Sequence, residues 1–318
     1  MSRDSETNWR IDVHHHVVPP GYADDSMPIK LPNTEAQLRS MDNWHIRTAI
    51  TSLTPRVVLQ NINRLRDVAR DCNEFQARMA QDHPSRLGSF ALLPLPDVDG
   101  ALEEISYALD VLRLDGVGLF SSVNDRYLGD PLFDPVFDEL NRRRAVVFVH
   151  PTHCEAPKET NLHAPPFVVE YVFDTTRAIV NLVFTGTPKR CPNIRFIVAH
   201  GGGTVPFLAQ RIAMMEGHRG AKNVTEVIPM LRSFYYEIAS TTSAFALRSL
   251  QELADPAHIL WGSDLPFVYG ERLQEEVDHW EQYDGFDAAG RAAVERLNAL
   301  RLFPRFSQAA GELGTRPQ

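Results

Sequence analysis

Two kinds of hydrophobic pattern take turns along the chain. Short, nearly unbroken apolar runs recur, and between them lie longer segments whose apolar positions repeat every three or four residues. The first pattern is that of strands buried on both faces, the second that of helices with one buried stripe. Strands are predicted over residues 11–16, 47–53, 87–93, 116–120, 145–150, 194–200, 234–240 and 258–263. Helices are predicted over 34–45, 63–81, 99–113, 134–143, 166–187, 205–216 and 243–254, and the remainder up to about Phe306 reads as helical. The stripe of 63–81 is Leu65, Val68, Ala69, Cys72, Phe75 and Met79, with charged residues on the other side. Pro55, Pro94 and Pro151 stop three of the strands, since proline has no N–H to give to a ladder. Eight strands, each followed by a helical pattern, predict a (β/α)8 TIM barrel: one domain over 1–318 with a C-terminal helical extension. A doubly wound open sheet shares the alternation, but the chain has no Gly-rich dinucleotide or phosphate fingerprint to support it.

Composition narrows the class. With 318 residues, 43% hydrophobic and 23% charged, the chain resembles an ordinary soluble enzyme and can bury a large core without metal or disulfide staples. A formal net charge of −9 argues against a nucleic-acid partner, which calls for a basic face. Cys72, Cys154 and Cys191 lack zinc-finger spacing and are odd in number, which fits a reducing, cytoplasmic setting. The first ten residues do not resemble a signal peptide, and no apolar stretch is long enough to span a membrane.

The barrel prediction locates the chemistry. Active sites of such barrels lie at the carboxyl ends of the strands, and here four predicted strands end in metal-binding residue types. The first ends in His14 and His16, the fifth in His150, the sixth in His200, and the eighth runs into Asp264. Singly, each has a plain alternative: a hydrogen-bonded loop histidine, a chance polar run, a turn carboxylate. Together they offer enough ligands for one divalent cation plus an acid–base group. Period-two alternation puts Asp12, His14 and His16 on one face, so Asp12 is expected to face inwards and steady a ligand imidazole, with His15 facing the helices. Arg56, just past the second strand, suits a substrate carboxylate, or is a solvated loop arginine. Phe120 and Phe267 can wall an aromatic ring, or are core. Gly201–Gly202–Gly203 can bring backbone N–H groups to an anion, or form a tight turn. The facing of Glu237 does not follow from the pattern.

These residues sit in longer motifs: Ile11-Asp12-Val13-His14-His15-His16, Phe148-Val149-His150-Pro151-Thr152, Phe173-Asp174-Thr175-Thr176-Arg177, Phe196-Ile197-Val198-Ala199-His200-Gly201-Gly202 and Gly262-Ser263-Asp264-Leu265-Pro266-Phe267. With the tail 298–305, they make nearly the whole chain resemble the amidohydrolase-related, metal-dependent decarboxylases of the aminocarboxymuconate-semialdehyde decarboxylase type. The opening Val13-His14-His15-His16 and the segment Tyr127-Leu128-Gly129-Asp130-Pro131 look most like 6-methylsalicylate decarboxylases. The resemblance implies zinc, with manganese as the alternative, held by His14, His16, His150 and Asp264. It also implies acid–base work by His200 and a homodimer or larger assembly. The loops 21–33 and 153–162 depart from the family pattern, and both would contact substrate.

The leading expectation is nonoxidative decarboxylation of an aromatic, salicylate-like or conjugated acid, the cation binding its oxygens and His200 or Asp264 delivering a proton to carbon. The same ligands could activate water in a mononuclear zinc hydrolase of lactones or amides, or in a hydratase. The predicted fourth strand has no lysine to bridge a second metal, which favours one cation. A non-catalytic binding barrel would not need so complete a ligand set.

Overall fold

The computed structural model describes residues 9–22, 33–152, 165–218 and 225–307. Its strands are β1 (Arg10–Val17), β2 (Ile46–Leu53), β3 (Leu87–Leu92), β4 (Gly116–Phe120), β5 (Val146–His150), β6 (Arg195–Val198), β7 (Tyr235–Glu237) and β8 (Ile259–Leu260). They form one eight-stranded sheet in sequential order, every neighbouring pair parallel. The stretch after β8 closes the ring against β1. Val13 N–H donates to Trp261 O at 3.1 Å, His16 N–H to Leu265 O at 2.7 Å, and Asp264 N–H to His14 O at 2.8 Å. The eight-stranded β/α barrel is therefore the observed fold.

Helices fill the connections: α1 (Thr34–Asn43), α2 (Pro55–Leu59), α3 (Leu65–Asp82), α4 (Val98–Ser106), α5 (Asp134–Arg142), α6 (Pro166–Phe184), α7 (Thr187–Arg190), α8 (Val205–Ala213), α9 (Val227–Ser233) and α10 (Ala244–Leu253). Then come α11 (Glu271–Gln282), α12 (Ala288–Ala292) and α13 (Asn298–Leu302). The α3 stripe is as expected, with Val68, Ala69, Cys72 and Met79 buried against the outside of β2 and β3. Inside the barrel, Ile11, Ile50, Phe90, Phe148, Ile197 and Leu260 form one apolar cluster with Phe303 and Phe306 from the C-terminal turn. The opposite end is left for polar groups.

Several boundaries differ from the sequence reading. Pro55 ends β2 but also starts α2, because a proline is preorganised for a first helical turn. The predicted helix 99–113 passes into a π-type turn at Tyr107–Val111. A small hairpin, Ser122–Val123 with Arg126–Tyr127, and the helix α9 are additions. Strands six to eight are shorter than predicted, so Glu237 is the last residue of β7 and not a mid-strand residue, while Asp264 lies beyond the end of β8. The Gly201–Gly203 segment is a tight turn. A Cβ on Gly203 would lie 2.2 Å from Val172 O, and one on Gly202 2.6 Å from the Tyr236 ring. Most of the loop 21–33, all of 153–162, and His153 and Cys154 with it, lie outside the described residues.

The facing of β1 is the main correction. Ile11 and Val13 pack in the barrel interior, and strict alternation would keep the odd positions there. The pairing with β2 slips between Asp12 and His15, three steps on β1 matching two on β2 (Asp12↔Ala49, His15↔Thr51). Such a bulge re-aims the side chains that follow it. The inward set changes from odd to even, and His14 and His16 turn to the mouth. Asp12 and His15 are left together, His15 Nδ1 3.0 Å from Asp12 Oδ2. Asp12 also accepts from His14 N–H and Ser263 N–H, each at 3.0 Å, and from Ser263 Oγ at 2.5 Å. It fastens β1 to the chain beyond β8 and does not steady a ligand imidazole.

Candidate active site and metal centre

At the carboxyl end of the barrel, His14 and His16 from β1, His150 from the end of β5 and Asp264 each offer one ligand atom, all within 4.8 Å of one another. His14 Nε2 lies 3.0 Å from His16 Nε2 and 3.4 Å from Asp264 Oδ1, and His16 Nε2 lies 3.3 Å from the same oxygen. Tetrahedral zinc, with bonds of about 2.0–2.1 Å, would separate its ligand atoms by about 3.3 Å. The second ring nitrogens are all engaged. His14 Nδ1 is 2.8 Å from Glu237 Oε1, His16 Nδ1 is 3.2 Å from Ser52 Oγ, and His150 Nδ1 is 2.6 Å from Pro151 O. An imidazole that donates through Nδ1 presents its Nε2 lone pair, so three lone pairs and a carboxylate converge.

The electrostatics ask for positive charge at that point. Burial works against a charged His14, yet Glu237 and Asp264 outweigh it and push the imidazole up to about 9. Burial, followed by the neighbouring His16 and His14, holds His150 well below its ordinary range, and burial lowers His16 too. Asp264 is opposed by burial but held well below the usual carboxylate range, chiefly by His14 and His16. An ionised carboxylate beside two imidazoles held neutral, with a third that the surrounding carboxylates would otherwise protonate, is a place where a divalent cation can supply the positive charge in the proton's stead, and the residues fit one.

His200 stands beside this group. Its ring centroid is 5.0 Å from that of His14 and 6.2 Å from that of His150. Its Nδ1 lies 3.1 Å from Ala239 O, which leaves Nε2 for proton chemistry. Its backbone N–H donates to Glu237 Oε1 at 2.6 Å. A second set of close donor atoms, His14, His200 and Glu237, shares His14 with the first, and Glu237 is already committed to three hydrogen bonds. His200 and Asp264 both have left-handed backbones, φ +54° and +58°. Non-glycine residues adopt that conformation at a cost and do so often where function requires it.

The expected substrate-contacting residues also gather here. The Phe267 ring is 5.4 Å from His16 and the Phe120 ring 6.4 Å from His150; neither is fully buried. A small cavity beneath them is lined by Ser52, Phe90, Gly118, Phe120, Phe148 and His150. Arg56 is half-buried at the start of α2. It and Asp264 both act on the Tyr171 hydroxyl of α6, which burial in the first place, with Asp264 and Asp174 after it, shifts upward.

Four positions around the site escaped the sequence reading. Ser52 carries no local signal. Asp174 and Tyr127 were visible only as parts of motifs. Glu237 had one: a carboxylate in an apolar run must find donors if buried, and it is fully buried.

A family model described as amidohydrolase matches residues 11–305. A decarboxylase of Penicillium terrestre is 36% identical over 324 residues, covering 93% of this chain and 95% of its own. The 6-methylsalicylic acid decarboxylase of Penicillium expansum is 33% identical over 313 residues, covering 93% and 96%. A solved structure described as amidohydrolase II superposes with a TM-score of 0.85 at 26% identity, over 93% of this chain and 99% of that one. At a TM-score of 0.81 and 20% identity, over 93% and 97%, the same fold is found in a dihydroxybenzoic acid decarboxylase from Polaromonas sp. with bound manganese and 2-nitroresorcinol.

Proposed function

Because this chain belongs to the amidohydrolase family, we infer that the crowded end of its barrel is that of a metal-dependent, nonoxidative decarboxylase of an aromatic carboxylic acid. The decarboxylase relatives favour this over the mononuclear hydrolase and the hydratase, which share the ligand set. The carrying observation is the convergence of three Nε2 atoms and one carboxylate within 4.8 Å, next to an imidazole with a free nitrogen and two aromatic side walls. We assign the cation to His14, His16, His150 and Asp264. Three nitrogens and one oxygen suit zinc, with manganese as the alternative on the strength of the related fold that holds it.

When bound, a divalent cation supplies Lewis-acid charge stabilisation and a template for the acid's oxygens. The protein does the rest. Phe120 and Phe267 hold the substrate ring edge-on to the histidines, and Arg56 takes a carboxylate oxygen. As the bond between ring and carboxyl carbon breaks, its electron pair stays on the ring carbon and carbon dioxide leaves. His200 Nε2–H gives its proton to that carbon, and the imidazole is reprotonated from solvent. Asp264, held ionised, is the poorer proton donor. A salicylate-like acid, with a hydroxyl beside its carboxyl, presents two adjacent oxygens to the centre and is the substrate class we propose.

The test is carbon dioxide release from metal-replete protein under anaerobic conditions without added cofactor, using a panel of 2-hydroxybenzoates, conjugated acids, lactones and amides. Release from the hydroxybenzoates is expected. Turnover confined to the lactones or amides would replace this reading with the hydrolase. The exposed Phe207 and Phe245 on α8 and α10 support a homodimer or larger assembly, to be measured by sedimentation.

A further inference from the structure

A buried acidic knot lies behind His150 and has no part in the chemistry above. Asp174 of α6 is fully buried. Its Oδ2 accepts from Ser121 Oγ, which follows β4, and its Oδ1 accepts from the Tyr127 hydroxyl of the hairpin at 2.8 Å. Oδ2 also accepts the backbone N–H of Thr152 at 3.2 Å, a donor shared with Ser121 Oγ at 3.0 Å. None of these donors carries a charge. The Thr152 N–H belongs to the Pro151–Thr152 peptide, and the carbonyl of that same peptide accepts from His150 Nδ1 at 2.6 Å. One peptide plane therefore stands between the Asp174 carboxylate and the His150 ring.

We propose that Asp174 is a positioning residue for the metal centre, acting on His150 through the Pro151–Thr152 peptide. A peptide whose N–H points at a carboxylate has a more negative carbonyl oxygen, because hydrogen bonds in series polarise one another. A stronger acceptor on Nδ1–H makes the imidazole more basic at Nε2 and fixes its tautomer and plane. Metal-ligating histidines commonly donate to a carboxylate directly. Here the carboxylate is one peptide removed. The motif Phe173-Asp174-Thr175-Thr176-Arg177 and the segment carrying Tyr127 thereby acquire a joint role. The inference rests on the reading of His150 as a ligand. The competing role for Asp174 is a plain pin between α6, the hairpin and the turn after β5.

Asp174→Asn keeps the shape and removes the charge: its amide oxygen can keep the Ser121 and Thr152 donors, and the Tyr127 hydroxyl can turn to accept from the new amide N–H. Zinc affinity is measured by competition with a chromogenic chelator, and the visible spectrum is recorded on cobalt(II)-loaded protein. Expected for Asp174→Asn is zinc affinity about 10- to 100-fold weaker, with an altered cobalt spectrum. Tyr127→Phe leaves the charge in place and should match the parent in both. A folded Asp174→Asn with parental zinc affinity and spectrum overturns the proposal. Should Asp174→Asn fail to fold, Tyr127→Phe decides: unchanged zinc affinity in a less stable protein supports the charge relay, and affinity lost along with stability supports the pin. If the parent protein itself binds no zinc or cobalt, the ligand assignment falls first and this inference with it.

Discussion

Glu237 stands directly behind His14, its Oε1 2.8 Å from His14 Nδ1, and the same oxygen accepts the backbone N–H of His200 at 2.6 Å. One fully buried carboxylate thus holds both a proposed cation ligand and the residue assigned to proton delivery. Its other oxygen accepts from Ala239 N–H at 2.7 Å. The site closes round it: a Cβ on Gly262 would sit 2.1 Å from Glu237 Oε2 and 3.0 Å from His14 Cβ. Glu237→Gln is expected to weaken metal retention about 10- to 100-fold and to lower kcat further in protein reloaded with metal, because His200 shifts as well. Gly262→Ala should move both quantities the same way. Chelator competition and kcat at saturating metal measure them, and a Glu237→Gln protein with parental values for both would refute the coupling.

His200 and His150 should separate cleanly. His200→Asn removes the proton donor but none of the four converging ligand atoms, so kcat should fall about 10²- to 10⁴-fold with metal stoichiometry preserved. His150→Ala should lose the metal itself. Elemental analysis beside kcat distinguishes the two, and equal metal loss in both variants would mean that the ligand set has been misassigned.

Removing the metal should remove the activity. Dialysis against a strong chelator is expected to abolish carbon dioxide release, and adding back zinc or manganese to restore it. Comparing the two restored rates identifies the working cation. Full activity in protein shown by elemental analysis to be metal-free would rule out the cation's role.

Arg56 should act through binding. A charge-assisted hydrogen bond contributes about 1.5–3 kcal/mol, so Arg56→Met should raise KM for the acid by at least about tenfold. Effects on kcat should be smaller. An unchanged KM would return Arg56 to the role of a helix-start arginine on α2.

Acid stability should report on Glu139, far from the mouth. The hydrogen bond from Arg142 in the first place, opposed by burial and reinforced by Arg143, pulls its carboxyl down to about 2. A carboxyl whose folded value lies below the unfolded one stabilises the fold above the unfolded value, near 4.5, and loses that contribution as pH falls towards 2. Because Arg142 is largely solvent-exposed, Glu139→Gln should cost less than about 1 kcal/mol at pH 7. Urea unfolding at pH 7 and pH 3.5 should show that deficit shrinking on acidification. A deficit that grew would reverse the sign.

Sequence alone determined the eight-fold alternation and placed His14, His16, His150, His200 and Asp264 at or just past the ends of strands. It could do so because a parallel strand buried on both faces must be apolar throughout, so a polar side chain at its end marks the mouth. Only the tertiary structure decided which way those side chains turn and what stands behind them. The bulge in β1 reverses the parity that local alternation implies, and it leaves Asp12 with His15 and Ser263 instead of a ligand ring. Glu237 meets His14 across 223 positions, and Asp174 meets Ser121 across 53. Periodicity reports only how a segment faces its immediate layer, and contacts at such separations exist only once the ring of strands has closed.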